Sequence, residues 1–286
     1  MKARATKSAG SCGETGASRS AVQQRSPLTF FLLIFAFSAP FWLLGAVIDM
    51  QCLPGLPVSA LAAFSPMLAA LVLVYQERKA AGVVALLKRS LDFKRIRRKR
   101  CYVPIVLLMP GVSVLVYGLM RWLGMPVAAP QLDVEVTLLM FLGFFAAALG
   151  DELGWSGYAI GRLQQRWKPL QASVLLGLFT ALWHIVPLVQ AHRPAAWIGW
   201  WCLYAVAARV LIVWLYDNTG KSVFAAALFH TLLNLSWMLF PVHGSQFDLR
   251  LAGLLMAFAA ALVTRVWRPK TWDRAKHASH PGPAKP

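Results

Sequence analysis

Acidic side chains are scarce in this 286-residue chain, with 11 Asp and Glu against 29 Lys and Arg, and only 14% of residues carry a charge at all. A soluble domain averages about 25% charged residues, so a chain this poor in charge and 58% hydrophobic has no ordinary soluble fold open to it. Nor can so apolar a chain remain disordered except at its ends. Cysteine is also sparse. Cys12, Cys52, Cys101 and Cys202 lie far apart with no Cys-x-x-Cys pair, which indicates neither a thiolate metal site nor a disulfide framework. No period-two alternation suggests a β-barrel, and there is no internal repeat and no pair of Gly/Pro-broken hydrophobic segments of the kind many transporters carry. The net charge of +18 arrives without a nucleic-acid motif, so a nucleic-acid partner is not expected.

What is present is a series of apolar runs of spanning length. The first covers 28–48, and seven more follow at approximately 56–75, 102–123, 136–160, 170–190, 197–216, 222–241 and 249–267. The predicted fold is all-α, a polytopic bundle of about eight membrane helices over residues 28–268, with basic tails at 1–27 and 269–286 expected to be disordered. Basic residues cluster on one side of that bundle. The N-terminal tail, residues 76–101, residues 161–169, Lys221 and the stretch from Arg265 onward hold 25 of the 29, leaving Arg121, Arg193, Arg209 and Arg250. Positive charge marks the cytoplasmic side, so both termini are expected there, in a multi-pass protein of a bacterial inner membrane. The lipid bilayer is then the first partner. Residues 76–101 are expected to form a basic cytoplasmic amphipathic helix lying on anionic headgroups.

Ionisable groups inside a span cost about 2.5–3.5 kcal/mol each on insertion scales and mark function by default. The set here is small: Asp151 and Glu152 in the fourth run, His184 in the fifth, Arg209 in the sixth, and His230 with Asn234 in the seventh. Counted along the runs at about 1.5 Å per residue, Glu152, Arg209 and His230 each sit roughly 12 Å from the basic end. His184 is the outlier at about 21 Å, which asks that its helix start late or tilt. His230 and Asn234 are four residues apart and share one helix face, where together they can hold an oxyanion or a water. Adjacent carboxylates at Asp151 and Glu152 repel, so one is expected to act as a base toward water. Arg209, at the same depth, is expected to be their counter-charge.

These residues stand in motifs. Gly150-Asp151-Glu152-Leu153-Gly154-Trp155-Ser156-Gly157-Tyr158 followed by Arg162-Leu163-Gln164, then Leu182-Trp183-His184-Ile185-Val186-Pro187, then His230 to Asn234 preceded by Trp214 to Ser222, resemble in order the CAAX protease and bacteriocin-processing intramembrane endopeptidases, relatives of the type II CAAX prenyl endopeptidase. The resemblance covers residues 145–241. It departs from the family pattern at Asp151, where the family has Glu, at Ser156, where it has Arg, and at Thr180, where many members have Phe. The resemblance implies hydrolysis of a peptide bond in a chamber open to the cytoplasm. Asp151 or Glu152 with His184 would activate water, His230 and Asn234 would hold the oxyanion, and Trp155 and Arg209 would support them. The substrate would be a peptide or protein, lipid-modified or otherwise. A divalent metal such as zinc is left open, with Glu152, His184 and His230 as its candidate ligands. Two other readings stand beside this one: a catalytically lapsed relative that binds a partner or confers bacteriocin self-immunity, and a haem protein using two intramembrane histidines.

Overall fold

The computed structural model describes residues 26–48, 51–53 and 56–266. The tails expected at 1–27 and 269–286 therefore lie outside the described residues, apart from Ser26 and Pro27, which cap and begin the first helix. The helices are α1 (Pro27–Val47), α2 (Ser65–Leu87), α3 (Tyr102–Trp122), α4 (Val134–Gly154), α5 (Ile160–Leu163), α6 (Pro169–Gln190), α7 (Ala195–Asn218), α8 (Val223–Met238) and α9 (Leu249–Val266). A two-stranded ribbon, β1 (Gln51–Leu53) with β2 (Leu56–Pro57), links α1 to a 3-10 stretch at Val58–Phe64. With α4 and α5 joined into one long helix, eight helical segments among the described residues coincide with the eight apolar runs. Six of these are long and apolar enough to cross a membrane, while α8 is a shorter apolar helix of 16 residues.

Burial is uneven around each helix, as expected where lipid replaces water on the outer face. Leu32, Val114, Leu139 and Phe258 are all more than half exposed, while Phe30, Ile105, Met109 and Leu211 are fully enclosed. Helices approach closely where glycine allows it. A Cβ on Gly154 would stand 2.4 Å from the Pro66 carbonyl oxygen, so α4 meets the start of α2 at backbone contact. A Cβ on Gly177 would lie 3.0 Å from Val206 Cα and 3.3 Å from Arg209 Cβ, which sets α6 against α7 beside the site. Overpacking of this kind costs about 1–3 kcal/mol, so Gly177→Val is expected to lower the thermal unfolding temperature in detergent by a corresponding amount.

The 76–101 segment departs from the expected surface helix. Its first dozen residues continue α2 with a break at Lys79 (φ 55°), and the remainder consists of short 3-10 turns. The reason lies in two side chains that dock it onto the bundle. Arg89 donates to the Gly157 carbonyl (2.8 Å), the Tyr216 hydroxyl (2.9 Å) and the Lys221 carbonyl (2.7 Å). Asp92 accepts from Ser222 Oγ, Val223 N and Phe224 N, satisfying amides at the start of α8 that have no partner within the helix. These bonds, with Lys221 to Gln164, gather residues 88–101, 157–168 and 219–222 at one end of the bundle, the basic end.

Candidate active site

The site begins with a local irregularity in the fourth span. Directly after Glu152 and two further residues, the helix widens into one π turn, Trp155–Ala159, before returning to α geometry as α5. Single π turns inside α-helices recur at functional sites. Here, across the junction, Trp155 Nε1 donates to Asp151 Oδ1 at 3.3 Å and Ser156 Oγ donates to Glu152 Oε2. Both carboxylates are buried, Glu152 completely.

Helix α7 supplies the counter-charge. Arg209, 2% exposed, places Nη1 2.7 Å from Glu152 Oε1 and lies over the Trp155 ring at 5.8 Å. Helix α8 brings His230, whose Nδ1 is 2.9 Å from the same oxygen. Glu152 is thus a hub with both oxygens committed. An ionised carboxylate only accepts, so His230 Nδ1 carries the hydrogen. In that tautomer Nε2 accepts while the ring is neutral and donates once it takes up a second proton.

Helix α6 brings His184. Its Nδ1 is 2.8 Å from the Thr180 carbonyl one turn earlier, which fixes the proton on Nδ1 and leaves Nε2 with a lone pair in the neutral ring. The ring is held between Trp183 (4.4 Å, edge-on) and Trp201 (4.7 Å). Thr180 keeps its own hydroxyl on the Leu176 carbonyl.

Asp151, His184, Arg209, His230 and Asn234 all line one cavity of about 310 Å³, while Glu152 lies behind its wall. The apparent mismatch in depth is resolved by the direction of that cavity. Helix α6 starts at Pro169, as early as its sequence indicates, so His184 owes its position to no late start; it stands six residues from the far end of its helix. From the carboxylates the cavity runs past Trp183, Pro187 and Leu188 to Ser59, Ala60, Ala191, Arg193 and Trp197, at the end of the bundle opposite the basic one.

The candidate zinc set does not assemble. Among the described residues no three His, Cys, Asp or Glu side chains gather in a manner that could hold a metal ion. Glu152 explains this: its oxygens are taken by Arg209, His230 and Ser156, and a guanidinium at 2.7 Å stands where a cation would have to bind.

One chamber residue escaped the sequence reading. Tyr204, 5% exposed, lines the cavity, and its buried hydroxyl has no hydrogen-bond partner. Its only sequence signal is a phenol in mid-span, five residues before Arg209, which is weak because tyrosine is common in apolar helices. The cavity wall is otherwise rich in indoles, with Trp42, Trp183, Trp197, Trp201 and Trp237.

Residues 133–236 match the family model described as type II CAAX prenyl endopeptidase Rce1-like. The chain is also similar to CAAX prenyl protease 2 of Methanococcus maripaludis, at 27% identity over 83% of this chain and 93% of that protein. The matched stretch holds every intramembrane polar residue of the site, and the chain is a multi-pass membrane protein that over residues 133–236 is similar to the Rce1-like type II CAAX prenyl endopeptidases.

Proposed function

We propose that the protein is an intramembrane endopeptidase that hydrolyses a peptide bond with water activated in the chamber. The observation that carries this reading is the convergence of Asp151, His184, His230 and Asn234 on one cavity, beside a carboxylate already neutralised by Arg209. Asp151 has one oxygen on Trp155 and is the carboxylate not committed to an ion pair, so it is the base in this scheme. His184 Nε2 accepts a hydrogen from the same water, so that the nucleophile is oriented by two acceptors. The oxyanion that forms at the scissile carbonyl is held by the Asn234 amide and by His230 Nε2–H, in a scheme where the ring enters the step as an imidazolium with Glu152 as its counter-charge and keeps both protons throughout. Collapse of the tetrahedral intermediate requires a proton on the leaving nitrogen, which Asp151 or His184 returns.

Ser156 is the strongest argument for a lapsed relative, since it removes the Arg of the motif. Arg209 supplies a guanidinium to Glu152 from another helix, which favours activity over a binding role. The test is direct: purified protein in detergent is incubated with a quenched-fluorophore peptide library. Cleavage is expected, and His230→Ala is expected to slow it by about 100- to 1,000-fold, the usual cost of one oxyanion donor, at wild-type expression. Full activity in His230→Ala would remove it from the mechanism.

Tyr204 enters the same scheme as a substrate-facing donor. A buried hydroxyl without a partner carries a desolvation cost that a peptide carbonyl would relieve. Tyr204→Phe is expected to raise KM by about tenfold, the equivalent of 1–1.5 kcal/mol, with kcat nearly unchanged, in steady-state assays on the peptide selected above.

A further inference from the structure

The chamber wall holds polar atoms that the fold has not used. Trp183, in that wall, spends its indole N–H on Ser38 Oγ at 2.8 Å. Trp42 Nε1 and Ser59 Oγ, which line the same cavity, are buried without a hydrogen-bond partner, and Ser59 is 1% exposed. Glycine brings a third such atom beside them. A Cβ on Gly45 would stand 2.9 Å from Ser59 Cβ, 3.4 Å from Ser59 Oγ and 3.5 Å from Gln190 Oε1, so the 3-10 stretch and the end of α6 both close on one bare turn of α1.

Gln190 Nε2 donates to the Trp42 carbonyl at 2.7 Å. A carbonyl only accepts, so this bond fixes the orientation of the amide and leaves Oε1, buried and without a partner, as its unused end. Unpaired buried polar groups carry a desolvation penalty that folded proteins rarely leave standing, and here three of them share one corner. The corner is separate from the reacting groups. Gln190 lies six residues beyond His184 on α6, which is about 9 Å along the axis.

We infer that this corner is a second recognition site, which takes a main-chain amide of the substrate away from the bond that is cut. The donor set fits that ligand. Trp42 Nε1 can only donate, Gln190 Oε1 can only accept and Ser59 Oγ can do either, so a peptide carbonyl is received by the indole or the hydroxyl and a peptide N–H by Gln190. An extended chain advances about 3.3–3.6 Å per residue, so the amide held here lies two to three residues from the scissile bond. Main-chain atoms are the same in every sequence, so the corner holds a substrate in register without reading its side chains. The identity of the ligand as substrate rests on the peptidase reading.

Changes on both partners test it. Ser59→Ala keeps the Cβ that packs on Gly45 and removes only the hydroxyl, and Trp42→Phe removes the indole N–H; either variant suffices should the other fail to accumulate. With the peptide that the purified wild-type protein cleaves from the library, each is expected to raise KM by about three- to tenfold, the worth of one hydrogen bond, with kcat nearly unchanged. The same peptide is then made as a series in which one amide at a time is replaced by an ester, which has no N–H and a weaker acceptor. At one position, two to three residues from the cut, the ester is expected to raise KM in the wild-type protein and to add little in Ser59→Ala or Trp42→Phe. A variant whose KM rises by one common factor across the whole series, or does not rise, has no link to a particular amide; that result in both variants overturns the inference and leaves the peptidase standing. Should the wild-type protein cleave nothing, fluorophore-labelled library peptides are titrated onto it and onto both variants. Binding that weakens in the variants keeps the site and ends the peptidase reading, while equal binding, or none, ends both.

Discussion

Asp151→Asn is expected to lower kcat by about 100- to 10,000-fold, the range over which a positioned general base contributes. The amide keeps the size of the side chain and an oxygen for Trp155, so the neighbouring bond at 3.3 Å can persist while the base is lost. Expression and thermal stability should therefore stay near wild type, and the loss should fall on kcat rather than on KM. Asp151→Glu is the informative companion. It restores the longer carboxylate of the family motif and advances the oxygen by about one carbon–carbon bond, and displacements near 1 Å can be worth about 100-fold. Activity equal to or above wild type is expected. A Glu variant as slow as Asn would mean that the chamber is fitted to the shorter side chain.

The second large effect is on stability. Arg209→Leu leaves Glu152 and Asp151 buried with no guanidinium, and breaking a buried ion pair by removing one partner costs about 3–5 kcal/mol. Glu152→Gln alone strands Arg209 in the same way. The double variant removes both charges at once and should recover a large part of the loss, because the two residues are in direct contact at 2.7 Å. The measurement is thermal unfolding in detergent for all four members of the cycle. Additive losses would deny the pair any coupling.

Much of this arrangement can be read along the chain, and the residues tell why. Helix length and apolarity are one-dimensional properties, so the eight helical segments follow from runs of Leu, Val, Phe and Ala. Depth is nearly one-dimensional too: counting residues put Glu152, Arg209 and His230 at one level, and all three meet at a single carboxylate oxygen. Direction is not. In a membrane protein both the lipid face and the packed core are apolar, so composition does not reveal that the cavity extends from Asp151 toward Ala60 and Ala191 while Leu163, Leu215 and Phe229 are buried in the core. The docking of residues 88–101 was hidden for a related reason. A basic segment carries the same signal whether it lies on headgroups or caps α8 through Asp92, since the bonds are made across more than a hundred residues. The π turn leaves no pattern, because widening a helix by one residue alters no periodicity over five positions.

Moving the guanidinium from the fourth span to α7 also changes how the protein must be assembled. In the family motif the Arg lies one turn from the acidic pair, so charge is compensated as soon as that helix forms. Here Ser156 gives Glu152 a hydrogen bond but no charge, and the cation lies 57 residues further on. At roughly 5–20 residues per second of synthesis, the fourth span waits about 3–11 seconds for its partner to be made. During that interval it must enter the membrane with two acidic groups, each costing about 2.5–3.5 kcal/mol if charged at mid-bilayer. Insertion of the amino-terminal half is thereby made dependent on the carboxyl-terminal half, and a chain interrupted between α6 and α7 would hold its fourth span only loosely in the membrane.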